Sequence, residues 1–338
     1  MSPEQTLPVP LDGQLRDALR GDATEQPEPV LMSAELLPQI RAEVDAAVAA
    51  LDDLGRGGRF TVTQPAAPGL DGDPDVPLLV CTPVGAPTSR PTLYFVHGGG
   101  FFCNDHRTGL DQMLDTAERL GATLISVGYR LAPEHPYPAQ IDDVHAGLLW
   151  AVEHADELGI DPARVVVAGP SAGGGLGAAL ALTLRDKGGP RLLGQLLMCP
   201  MLDDRNTSGS LAQMDATDLW NRSFNGFAWS SLLGGVLGGS DVPQYAAPAR
   251  AVDLSGLPPA FLDVGSAECL RDEVLDYAAR IWQAGGEAEL HVWSGGVHAF
   301  DLEVPEARIS RAAVTARQGW LGRLLAADER SDRTGAGS

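Results

Sequence analysis

Near the middle of the chain, Gly169-Pro170-Ser171-Ala172-Gly173 sets one hydroxyl in a glycine-rich turn. The β-branched run Val165-Val166-Val167 leads into it, and a stretch of small residues from 172 to 187 follows. Two chemistries use such a turn. One is a dinucleotide fingerprint, with a pyrophosphate held on helix N-terminal amides. That needs G-x-G-x-x-G in register and an acid closing the next strand. No such register fits across 169–178, and the next strand ends at Met198-Cys199-Pro200-Met201 without an acid. The other chemistry is a nucleophile elbow, G-x-S-x-G, which lifts a serine hydroxyl clear of a sheet to attack a carbonyl. Glycines there let strand and helix pass close, where a Cβ would clash. In a chain with 40 glycines the pentapeptide alone is a weak signal. The apolar strand before it and the small-residue helix after it give it weight.

A serine nucleophile needs a base and an acid, and on this type of sheet the chain order is Ser, acid, His. His291 and His298 are the histidines that follow Ser171. His291 lies within the alternating strand 287–293 and reads as packing or surface. His298 lies in the loop Ser294–Phe300, from which a base can reach across the top of a sheet. For the acid, Asp263 sits inside the strand 259–265, and Asp272 opens the next helix, where an N-terminal charge is favourable. Glu268 lies on the loop between them and is the expected partner of the imidazole. Its reference pKa nearly equals that of aspartate, so it can orient an imidazole equally well. The second anchor is Phe95–Phe102, a strand that runs straight into three glycines. Such glycines present uncovered amides, two of which can point at one oxygen, as the elbow reading requires. The bland alternative for this stretch is a flexible turn.

These groups need a frame. The length of 338 residues suits one α/β domain with an added subdomain. Residues 33–55 show apolar spacing of three to four and predict a helix; from about 59 the period shortens to that of strands. Near-continuously apolar strands then alternate with helices, which predicts a mostly parallel central sheet covered on both faces. The alternation breaks at 203–245, a polar, aromatic-bearing segment without a strand that reads as an insertion or lid. The expected division is an N-terminal cap segment at 1–55, a catalytic α/β domain at 56–202 and 246–327, a cap insertion at 203–245, and a disordered tail at 328–338.

Composition narrows the partners. Lys and Arg number 24 against 45 Asp and Glu, a formal charge of −21. Such a surface repels phosphate backbones and anionic lipid, so neither nucleic acid nor membrane is an expected partner. Cys81, Cys103, Cys199 and Cys269 are few and far apart, which fits reduced thiols and no zinc knuckle. The N-terminus has no basic start followed by an apolar run, and no stretch approaches a membrane span. A soluble cytoplasmic protein is expected.

Together the motifs resemble the hormone-sensitive-lipase-like branch (family IV) of the α/β-hydrolase esterases. The matching pieces are HGGGF at 97–101, YRLAPEHPYPA at 129–139, GPSAGG at 169–174, ECLRDE at 268–273 and VHAF at 297–300. The second of these is the most specific, and the likeness covers about 59–325. The resemblance implies an α/β-hydrolase fold with a helical cap, and a serine carboxylesterase acting on short- to medium-chain esters through an acyl-enzyme. It assigns Ser171, His298 and Glu268 to the triad and the amides of Gly99, Gly100 and Ala172 to the oxyanion hole. It calls for no cofactor or metal. Three positions depart from the family pattern. Pro170 replaces an acid before the serine, which leaves open how the oxyanion loop is braced. Glu268 stands where Asp is usual, and Ala299 where Gly is usual after the base.

Other residues carry less. His97 reads as a holder of the glycine loop, while His106, His135, His145 and His154 precede the elbow and read as structural or surface. Cys103 and Cys269 lie near the motifs in sequence, and no pattern supports a nucleophilic role for either. Trp220, Phe224, Phe227 and Trp229 fall on one helix face of the insertion, either as packing or as the wall of an acyl pocket. Phe101 and Phe102, beside the glycine loop, are stronger pocket candidates; with Trp220 and Phe224 they make up the expected substrate-binding set. Two other readings stay open: a hydrolase specialised for one complex ester, lactone or amide, and a non-catalytic ligand-binding protein on the same fold. The strand around 288–293 would be a sheet edge and leaves room for a homodimer.

Overall fold

The apolar, β-branched runs between residues 60 and 293 pair into one nine-stranded sheet, and the segments between them coil over both its faces. The computed structural model describes residues 7–20, 30–48, 50–214, 219–235 and 237–335. The chain opens with α1 (Gly13–Arg20), α2 (Leu37–Ala47) and α3 (Leu51–Leu54). Next come β1 (Phe60–Thr63), β2 (Ala66–Ala67), β3 (Val76–Pro83) and β4 (Arg90–Val96). Helix α4 (Asp111–Leu120), β5 (Thr123–Val127), α5 (Ala139–Glu153) and α6 (Ala155–Leu158) lead to β6 (Ile160–Pro170), α7 (Ala172–Lys187) and β7 (Gly194–Met198). Helices α8 (Gly209–Gln213) and α9 (Arg222–Leu232) precede β8 (Ala260–Gly265), α10 (Arg271–Gln283) and β9 (Ala288–Trp293). The chain closes with α11 (Phe300–Glu303) and α12 (Arg308–Gly335).

The strand order is β1-β3-β5-β4-β6-β7-β8-β9, with β2 beside β3. The β1–β3 and β3–β5 pairs are antiparallel, and every pair from β5 across to β9 is parallel. Every position of β4, β5, β7 and β8 is buried, as a parallel sheet covered on both sides requires. Successive side chains go to opposite faces. Tyr94, Val96, Val165 and Val167 pack toward α5, α7 and α10, whereas Leu93, Phe95, Val166 and Ala168 pack toward α4 and α12. Each large aliphatic or aromatic side chain removed from water in this way stabilises the fold by about 1.5–3 kcal/mol.

The helical reading of 33–55 resolves into two pieces, because Val48 and Ala50 take extended backbone between α2 and α3. Residues 203–245 hold α8 and α9 and no strand among those described. The side chain of Asn221 caps α9 by accepting from the amides of Ser223 at 2.9 Å and Phe224 at 3.1 Å. The N-terminal segment is tied to the same place: the Met32 amide donates to Ser223 Oγ at 2.9 Å, and Asn221 Nδ2 donates to the Val30 carbonyl at 3.1 Å. Of the stretch 328–338, expected as a disordered tail, α12 takes in the residues up to Gly335, and residues 336–338 lie outside the described set. Among the described residues no helix is long and apolar enough to cross a membrane.

Candidate active site

Ser171 occupies the single residue between β6 and α7. Its backbone has φ 55° and ψ −121°, a conformation that L-residues rarely adopt and that the surroundings must hold in place. The Ser171 amide donates to the Met198 carbonyl at 2.8 Å, and the Ser171 carbonyl accepts from the amides of Gly175 and Met201 at 3.0 Å each. Gly173 is obligatory, because a Cβ there would lie 2.0 Å from the Val96 carbonyl oxygen. Strand and helix thus cross within backbone contact, and the serine side chain is left at the C-terminal end of the sheet.

The loop after β9 brings His298 to the serine, with Nε2 at 3.0 Å from Ser171 Oγ. On the other side of the ring, Nδ1 lies 2.5 Å from Glu268 Oε2. The second oxygen of Glu268 accepts the Gly265 amide at 3.0 Å. A carboxylate on Nδ1 favours the tautomer whose Nε2 lone pair faces the hydroxyl. Ser171, His298 and Glu268 are 6 %, 8 % and 1 % exposed, so this chain of contacts lies away from bulk water. The structure therefore brings the three expected residues together.

The rejected alternatives are occupied elsewhere. His291 stacks on Phe261 and Trp293 and bonds to Glu289 at 3.0 Å. Asp272 accepts the Ser210 amide at the start of α8 at 2.7 Å. Asp263 is buried in β8, where it accepts from Trp293 Nε1 at 3.0 Å and from Arg317 Nε at 2.8 Å. Arg317 also pairs with Asp301, three residues past the histidine, and so ties the His298 loop to the sheet. Ala299, at φ 51°, takes the left-handed backbone for which glycine is the usual residue.

Cys199, at the end of β7, is a neighbour that sequence reasoning missed. Its sulfur and the ligand atoms of Glu268 and His298 all lie within 4.8 Å of one another. Burial pushes the Cys199 thiol up. Burial also disfavours the imidazolium of His298, but the Glu268 carboxylate against Nδ1 favours it, and the ring's pKa lies well above that of an ordinary histidine. Three such side chains could in principle ligate a metal ion, but the 2.5 Å contact between His298 and Glu268 already occupies the space between them. The signal for Cys199 was its place at the carboxyl end of the strand beside the elbow.

In the glycine loop, Gly99 and Gly100 have φ 102° and 58°, and Phe101 has φ 67°. A Cβ on Gly99 would lie 2.3 Å from the Cys103 carbonyl oxygen. The Gly99 carbonyl accepts from the amides of Phe102 and Cys103 at 3.0 Å each and from the Cys103 thiol at 3.3 Å. The amides of Gly99 and Gly100 have no acceptor among the described residues. Ala172 is the first residue of α7, where no preceding turn supplies a carbonyl for its amide. His97 stacks on Tyr129 with centroids 4.1 Å apart, and its Nδ1 bonds to the Gly98 carbonyl at 2.8 Å. Burial lowers its pKa to about 4, so it stays neutral and holds the loop.

Aromatic side chains pack against the histidine. Trp220 stacks over His298 with centroids 5.6 Å apart and lies 6.3 Å from Phe102. Its Nε1 donates to Asn225 Oδ1 at 3.2 Å. Phe224 stands behind Trp220 at 5.7 Å, one ring removed from the histidine. Phe101 packs on the fully buried Trp229, and Phe102 meets Phe227 edge-on, each at 5.3 Å. Pro170 lines a narrow cavity with Phe95, Met113, Met198 and Cys199, which the paired Asp301 and Arg317 also border.

Residues 93–302 match the α/β hydrolase fold family. Carboxylesterase NlhH of Mycobacterium tuberculosis is 40 % identical over 248 residues, covering 71 % of this chain and 76 % of that one. Among solved structures, a bacterial heroin esterase superposes with a TM-score of 0.85 at 36 % identity, covering 93 % of this chain and 98 % of that one. Esterase LipW of Mycobacterium marinum gives 0.82 at 32 % identity, covering 95 % and 98 %.

Proposed function

The chain belongs to the hormone-sensitive-lipase-like branch of the α/β-hydrolase family and is a carboxylic ester hydrolase, and on that premise we propose that Ser171, His298 and Glu268 carry out the hydrolysis. The observation behind this reading is the continuous contact from Ser171 Oγ to His298 Nε2, and from His298 Nδ1 to Glu268. Ser171 Oγ attacks the ester carbonyl while His298 takes its proton. Glu268 stabilises the imidazolium that forms. The negative oxygen of the tetrahedral intermediate is received by the amides of Gly99, Gly100 and Ala172, each such donor contributing roughly 3 kcal/mol. His298 then protonates the departing alcohol, and a water activated by the same ring releases the acid from the acyl-serine.

The substrates in this reading are small-molecule esters with short to medium acyl chains, and Trp220, packed on His298 and beside Phe102, is the side chain against which the acyl group would lie. Placement in the cytoplasm is supported by four buried cysteines that form no disulfide. A homodimer through β9 is supported by its place at the sheet edge, with Val292 exposed on it and Trp282 exposed on the adjoining α10. Turnover of p-nitrophenyl butyrate by the wild type, and its loss in Ser171→Ala, tests the catalytic reading; a p-nitrophenyl phosphonate should leave its adduct on the peptide holding Ser171. Ester turnover that survives in Ser171→Ala would overturn the assignment.

A further inference from the structure

We propose that Arg41, carried on α2 far from the triad in sequence, is a positioning residue for the oxyanion loop. The inference rests on the reading of Ser171 as nucleophile and of Gly99 and Gly100 as oxyanion donors. Three of the loop's residues in a row, Gly99, Gly100 and Phe101, have positive φ, and so does Asn104. No strand or helix ladder holds such a backbone, so its shape depends on what its carbonyls bind. The Gly98 carbonyl meets His97 Nδ1, the Gly99 carbonyl accepts from Phe102 and Cys103, and the Phe101 carbonyl accepts the Ala132 amide at 2.9 Å. The Phe102 carbonyl is taken by Arg41, whose Nε donates to it at 2.8 Å.

The same guanidinium fastens the loop to its neighbour. Arg41 Nη2 donates to the Ala132 carbonyl at 2.9 Å, and Nη1 and Nη2 grip the two oxygens of Glu134 at 2.7 and 2.8 Å. One planar fork thus joins residue 102 to residues 132 and 134, a task for which the single point charge of lysine is not equivalent. The guanidinium holds the Glu134 carboxyl down at about 2, so the pair stays ionised at any ordinary assay pH. The position just before the nucleophile, where the family carries an acid, is Pro170 and offers neither a carboxylate nor an N–H. Arg41 supplies a brace to the loop from outside, through a helix of the N-terminal segment. Releasing it lets the Gly99 and Gly100 amides drift from the place where the oxyanion forms, and a displacement of one ångström there is expensive.

Arg41→Gln and Arg41→Lys in the full chain test this. Both should lower kcat for p-nitrophenyl butyrate about 10- to 100-fold while KM stays within about twofold. The inhibition constant of a trifluoromethyl ketone, whose tetrahedral adduct needs the oxyanion donors, should rise in proportion to the fall in kcat/KM. Glu134→Gln, at an exposed position, should show the same split to a smaller degree and serves as the readout if the Arg41 variants fail to fold. Unchanged kcat and ketone inhibition in these variants, or a rise in KM that accounts for the whole loss, would overturn the proposal. Turnover remaining in Ser171→Ala would instead overturn the catalytic reading beneath it.

Discussion

Trp220 lies over the face of His298 with ring centroids 5.6 Å apart and touches the oxyanion loop at Gly100, where a Cβ would lie 2.6 Å from the indole. One side chain of the insertion therefore borders both the base and the loop. Trp220→Ala should shift selectivity toward bulkier acyl groups, raising the ratio of kcat/KM for p-nitrophenyl hexanoate over acetate by about tenfold. The lost packing should also cost about 3–5 kcal/mol of stability. Thermal unfolding and a chain-length series measure both; an unchanged ratio would mean that Trp220 does not border the acyl group.

Glu268→Gln keeps the shape of the acid and removes its charge, so the imidazolium loses its stabilising partner. A fall in kcat of about 10³- to 10⁴-fold is expected, with little change in KM. Glu268→Asp withdraws the carboxylate by one methylene from a contact of 2.5 Å and should cost less. Steady-state kinetics of the pair separate charge from reach.

The pH dependence follows from Glu268. His298 must be neutral to accept the serine proton, and the carboxylate 2.5 Å from its Nδ1 favours the protonated ring. The ascending limb of kcat/KM should therefore lie above the pH at which ordinary histidines titrate. Glu268→Gln removes that charge, so the limb of its residual activity should move to lower pH. A limb that stays in place in Glu268→Gln would show that the carboxylate does not set it.

Gly99→Ala forces a Cβ into a left-handed backbone 2.3 Å from the Cys103 carbonyl. The loop must shift, and kcat should fall about 10²-fold or more, with circular dichroism unchanged.

Arg317→Met leaves Asp263 and Asp301 buried without their cation. Removing one partner of a buried network typically costs about 3–5 kcal/mol, which urea unfolding would register. Because Asp301 follows the histidine by three residues, activity should fall further than the folded fraction does.

The α/β alternation, the elbow and the two candidate partners of Ser171 were legible because each is local. An apolar strand, a glycine-rich turn and a loop histidine announce themselves within about ten residues. Glu268 could be picked over Asp263 and Asp272 because the strand and helix positions of those two left one loop acid. Arg41 could not be read, since it meets Phe102 across 61 positions and its spacing along α2 is that of an ordinary exposed helix residue. The Arg317–Asp263–Asp301 network was hidden for a related reason: Asp263 looks like an isolated charge in a strand until α12 folds back over it. The aromatic residues of the insertion were visible as a stripe. The one that faces the histidine, Trp220, lies just before the N-cap of α9, a place the spacing of the stripe did not reveal.

Each chemical group of the site hangs from a different strand end: the amide loop from β4, the serine from β6, the thiol from β7, the carboxylate from β8 and the imidazole from β9. The sheet thus acts as a chassis with interchangeable fittings. The insertion enters between β7 and β8 without interrupting any of them, so preference for new esters can be acquired by remodelling 203–245 while the reacting atoms keep their spacing.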